Sequence, residues 1–186
     1  MLFSRVISFF AFAATLGGLA VAHAVPEKRD TASVQQAVAN LKSTTDSIVP
    51  QIESLIANKN ATEATVVPLM SELITAINNA RKDVLSSPPA LAKRQSTSAI
   101  ANDVTAVITA VTKLVTDLNT VFAGVPILGT LLPELDVALT TLLTSLASVV
   151  AGVLSTVVGL LGTVTGLLGG LGLTNLGGLL GLLGLL

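Results

Sequence analysis

The 186-residue chain has no cysteine, tryptophan or tyrosine, a single histidine and only five phenylalanines. Each shortage removes a class of function. Without cysteine there is no disulfide scaffold, no thiol nucleophile and no thiolate metal site. The single histidine, His23, falls in the leader described below, so the mature chain is not expected to build an ordinary catalytic triad or an imidazole metal centre. Four of the phenylalanines lie in the same leader and only Phe122 remains, too little for aromatic platforms that stack sugars or bases. Ten Lys and Arg against eleven Asp and Glu give a net charge of −1, which predicts neither nucleic-acid binding nor steering to a charged partner. The glycines form no G-x-G-x-x-G pattern and precede no Lys-Ser/Thr, so no phosphate loop is expected. The acids are scattered, mostly off the apolar seams, as caps or solvated positions rather than paired carboxylates. The expectation is a protein that is not an enzyme, with no catalytic, cofactor or metal site and no small-molecule substrate.

What is present begins with a secretory leader. Arg5 supplies a basic start, Val6 to Val21 an apolar run, and Ala22-His23-Ala24 a small-x-small cleavage site, so residues 1–24 read as a signal peptide. Residues 25–29 read as a short pro-segment ending in Lys28-Arg29, a dibasic processing site. A second dibasic pair, Lys93-Arg94, lies in a Ser/Pro linker over 86–95, where a cut would divide the chain. Asn60-Ala61-Thr62 is an N-glycosylation sequon in a polar turn.

Apolar periodicity then predicts an all-α fold, an antiparallel bundle of about four helices with a long Gly/Leu-rich C-terminal extension. Val34, Val38, Leu41, Thr45, Ile48, Ile52 and Leu55 alternate spacings of four and three, a helical seam in which Pro50 predicts a kink or break. Val66, Met70, Leu73, Ile77, Ala80 and Val84 form a second seam, with Thr65 as the expected cap and Pro68 in the first turn. These two make a helical hairpin over 30–85. A helical pair over 96–158 follows. Its first member is the seam Ile100, Val104, Val107, Val111, Leu114, Leu118 and Val121, capped among Ser96, Thr97 and Ser98. Its second opens at Pro133-Glu134-Leu135-Asp136, where proline and acids suit a helix start facing the positive end of the dipole.

After Asp136 there is no charge at all, and from 159 to 186 the chain is Leu/Gly low complexity. Interior glycines weaken a helix by about 1 kcal/mol each against Ala, so this tail needs packing partners. Continued as one helix from Pro133, it would run about twice the length of the others, so it is expected to overshoot the bundle or fold back near its glycines. Leu160, Leu161, Leu167, Leu168, Leu171, Leu173, Leu179 and Leu180 are the candidate surface-active residues. Gly162-x-x-x-Gly166 and Gly166-x-x-x-Gly170 are small-residue spacings of the kind that pack helices in membranes. The expected partners are hydrophobic surfaces, lipid or cell-wall material, together with self-association. Two alternatives stand beside this. One is a membrane-associated protein using residues 137–186 as anchor, and the other a secreted effector released at Lys93-Arg94.

The Lys-Arg pro-site, the aromatic-poor Ala/Val/Leu/Thr helices and the stretch from Pro126 to Leu139 resemble small secreted proteins of filamentous fungi. The pattern from Asp30 to Val150 is similar to the hydrophobic surface-binding protein A family, also called cell wall galactomannoproteins. The apolar back half is similar to a small secreted mushroom protein associated with aerial hyphal growth. The resemblance implies helical structure, an extracellular or cell-wall location and adsorption to hydrophobic surfaces. It carries no site residues, and the uncharged tail is longer than the first family implies.

Overall fold

A computed structural model describes residues 30–87, 94–122, 127–162 and 164–184, and the described residues are all-α. Four long helices come first: α1 (Asp30–Ala57), α2 (Glu63–Ser86), α3 (Arg94–Val121) and α4 (Ile127–Val149). Three short ones follow: α5 (Val153–Leu161), α6 (Thr165–Gly170) and α7 (Thr174–Gly184). The long helices exist because their seams are buried. Val34, Val38, Leu41, Ile48 and Ile52 on α1, Val66, Met70, Leu73, Ile77 and Val84 on α2, and Ile100, Val104, Val107, Val111, Leu114 and Leu118 on α3 meet in one core. Thr45 joins that seam by donating its hydroxyl to the Leu41 carbonyl at 2.9 Å, so its polar atom is satisfied where water cannot reach.

Several helix boundaries depart from the sequence expectation. α3 already begins at Arg94, so Ser96, Thr97 and Ser98 lie inside it rather than capping it, and α2 and α3 take both ends of the expected 86–95 linker. The expected second helix of the 96–158 pair stops at Val149, and α5 starts afresh at Val153. The other three departures involve proline. α1 runs unbroken through Pro50. α2 starts at Glu63 with Thr62 as its N-cap, so Thr65 is the third helical residue and its hydroxyl accepts from the Thr62 amide at 2.9 Å. α4 starts at Ile127, six residues before Pro133. Pro50, Pro68 and Pro133 all lie inside helices. A proline removes the hydrogen bond to the carbonyl four residues back. Here each proline is exposed, and so are the residues four before it, Asp46, Ala64 and Gly129. The freed carbonyls therefore face water, and burial of the opposite face holds the helix together.

α1 ends where Asn60 N bonds Leu55 O at 2.8 Å and Lys59 N bonds Ile56 O at 3.0 Å. Lys59 takes the left-handed conformation, φ 56°, that this closure requires. The short turn makes α1 and α2 an antiparallel hairpin. α1 and α3 instead run in the same direction. Lys42 feels Asp103, and Lys113 donates to Glu53, so contacts ascend together along both helices. The Glu53 hydrogen bond and charge raise the Lys113 ammonium above the usual lysine value.

Around the bundle, α1 packs on α2 and α3, and α2 packs on α4. α3 and α4 share little direct contact. That fourth side is filled by the C-terminal helices: α5 lies against α3, α7 lies against α4 and α5, and α6 packs on α7.

Candidate functional site: the uncharged C-terminal hairpin

The chain folds back at two glycines that sit in the left-handed region. Gly152, φ 78°, separates α4 from α5, and Gly172, φ 87°, separates α6 from α7. Around Gly172, Leu173 N bonds Leu168 O at 3.0 Å and Gly172 N bonds Gly169 O at 3.3 Å. Leu168 and Leu173, the residues that this closure brings together, are both fully buried. A methyl at Gly172 would touch Leu132 near the start of α4, and one at Gly184 would touch Val158 on α5. α7 therefore starts beside the N-terminal part of α4 and ends against the middle of α5.

α6 and α7 approach closely at a glycine pair. A methyl on Gly177 would lie 3.3 Å from Gly169 N and 3.4 Å from Leu168 Cβ. Neither spacing singled out from sequence does this. Gly166 and Gly170 face open space, and Gly162 would meet only Gly159 O at 4.0 Å.

Asp136 fixes the hairpin to the bundle. It is the buried acid among the described residues, 1 % exposed, on the inner face of α4. Its Oδ2 accepts from Asn175 N and Asn175 Nδ2, both at 2.9 Å, and its Oδ1 accepts from Leu176 N at 2.8 Å. These two amides belong to the first turn of α7, whose backbone donors have no partner within the helix. The acid does face the positive end of a helix dipole, as expected, but the helix is α7 rather than its own.

The eight candidate surface leucines divide. Leu161, Leu168, Leu173 and Leu180 are buried and hold the hairpin to the core. Leu171 and Leu179 are half-buried against it. Leu160 at 49 % and Leu167 at 61 % exposed face outward, and Leu182, which the sequence did not single out, is the most exposed at 69 %. Between Leu167, Leu171, Gly166, Gly170 and Thr116 lies a shallow groove of about 270 Å³. The outer face of the hairpin is thus mostly leucine and glycine, with Ser155, Thr174 and Asn175 as exposed but uncharged polar positions. Periodicity could not separate inner from outer leucines here, because Leu and Gly occupy every face of these short helices.

Among the described residues no three His, Cys, Asp or Glu side chains converge to hold a metal ion. α3 and α4 each contain a stretch long and apolar enough to cross a membrane, and about half of each stretch is buried in the bundle. No described helix after Val149 is longer than 11 residues. Asn60 is exposed in the α1–α2 turn. Arg94 is the first residue of α3, whereas Ala24, Lys28, Arg29 and Lys93 lie outside the described residues. No known family model matches the chain, and no curated protein matches it.

Proposed function

We propose that this is a secreted, non-enzymatic protein that adsorbs to hydrophobic surfaces, lipid or cell-wall material through the outer face of its C-terminal hairpin. One observation carries the reading. That face presents Leu160, Leu167 and Leu182 with exposed Gly159, Gly166, Gly170, Gly178 and Gly181, and no charged residue lies anywhere in the hairpin. Among the described residues the charges are on α1, the α1–α2 turn, α2, α3 and the first half of α4. A surface divided this way is amphiphilic. Water is displaced from an apolar face at about 25 cal/mol per Å² removed, and no buried charge opposes contact. The leader over residues 1–24 supports secretion, and loss of the only histidine with that leader supports a role without acid–base chemistry.

The test is partitioning of the purified protein between buffer and hydrophobic polyester beads, with surface tension at the air–water interface as a second readout. Depletion from solution and a lowered surface tension are expected. Full recovery in solution with unchanged surface tension would overturn the reading.

A further inference from the structure

The hairpin is held to the bundle by two kinds of contact that respond differently to an apolar surface. Val153, Val157, Leu161, Leu168, Leu173, Leu176 and Leu180 are all fully buried, where α5 lies against α3, α7 against α4 and α5, and α6 against α7. Such contacts are non-directional, and any apolar phase satisfies them equally well. The grip of Asp136 on Asn175 and Leu176 is directional and is available only in the closed arrangement. At the base of the hairpin stands Gly152, exposed and at φ 78°, where backbone torsion is least restricted. At its far end, the closure around Gly172 and the tight Gly169–Gly177 approach tie α6 to α7.

We infer that α5–α7 is a flap that swings about Gly152 as one piece, that Asp136 is the latch holding it shut, and that an apolar surface takes over its inner leucines. This rests on the adsorption reading above and adds a conformational step to it. Adsorption begins through the outer leucines of the closed hairpin. Opening then brings the apolar side chains that α5 and α7 turn toward α3 and α4, and the inner faces of α3 and α4 themselves, to the surface. The fourth side of the bundle suits this because α3 and α4 keep little contact of their own to lose. α1, α2 and their seam with α3 stay folded.

Backbone hydrogen exchange followed by mass spectrometry tests the flap in solution. In the wild type, amides of α5–α7 are expected to exchange together and faster than those of α1–α3. Asp136→Asn keeps the shape but turns one acceptor into a donor, and should speed exchange in α5–α7 by about 10- to 100-fold while leaving α1–α3 unchanged. On polyester beads the same variant should adsorb faster than wild type. Exchange that is uniform along the wild-type chain would overturn the flap, and this measurement decides even if the variant does not fold. Faster exchange in the flap with an unchanged adsorption rate would overturn opening as part of adsorption. A separately exchanging flap in a protein that never adsorbs would support the latch and sink only the adsorption reading.

Discussion

At the residue scale, the molecule depends on a few positions whose conformation or burial departs from what their residue type prefers. Lys59 is one. A side chain other than glycine in the left-handed region costs roughly 1–2 kcal/mol, and Lys59 closes α1 at φ 56°. Lys59→Gly should therefore raise the unfolding free energy by about 1 kcal/mol in urea titration, despite the greater entropy of the unfolded chain. Gly172, at φ 87°, is the converse, and Gly172→Ala should lower it by about 1–2 kcal/mol. Asp136 shows what a sequence conceals. Its neighbours Pro133 and Glu134 make it look like the opening acid of a helix, whereas its partners lie 39 and 40 residues further on. Local pattern reveals that an acid suits a helix start. It does not reveal which start.

At the element scale, periodicity served the long helices well. Every seam position from Val66 to Val84 on α2 and from Ile100 to Leu118 on α3 is buried, because one polar face and one apolar face leave a single way to pack. The exceptions are Val121, 45 % exposed in the last turn of α3, and Leu55, half-buried in the last turn of α1, where the bundle no longer covers them fully. The same reasoning fails in the tail. With apolar residues on every face, α5, α6 and α7 are sorted into inside and outside by glycine turns and by the fit to α3 and α4. The sorting makes sharp contrasts. Leu176→Ala or Leu180→Ala should destabilise by about 2–5 kcal/mol, whereas Leu182→Ala should stay within about 0.5 kcal/mol. Gly181 faces open space, so Gly181→Ala should stabilise α7 by up to about 1 kcal/mol. At Gly177 the backbone of Gly169 stands 3.3 Å from the added methyl, so Gly177→Ala should lose most or all of that gain. Equal gains at the two positions, by thermal or urea unfolding, would contradict the close approach of α6 and α7.

At the scale of the whole molecule, the uncharged third is a wall of the fold as well as a surface. Removing everything after Asp136 would uncover the inner faces of α3 and α4, so a truncated chain would confound loss of adsorption with loss of structure. Charge placed on the outer face separates the two. Leu160, Leu167 and Leu182 are all about half exposed or more, and replacing them with Glu leaves the core intact. Leu85, Val121 and Val137 are apolar, about equally exposed, and lie outside the hairpin, which makes them the matched control. The decisive measurement is the adsorption isotherm of two triple variants on hydrophobic polyester beads, each first shown by circular dichroism to keep its helix content. The L160E/L167E/L182E protein should bind far more weakly than wild type, and the L85E/V121E/V137E protein nearly as well as wild type. Equal loss in both, or no loss in the first, would contradict adsorption through the C-terminal hairpin.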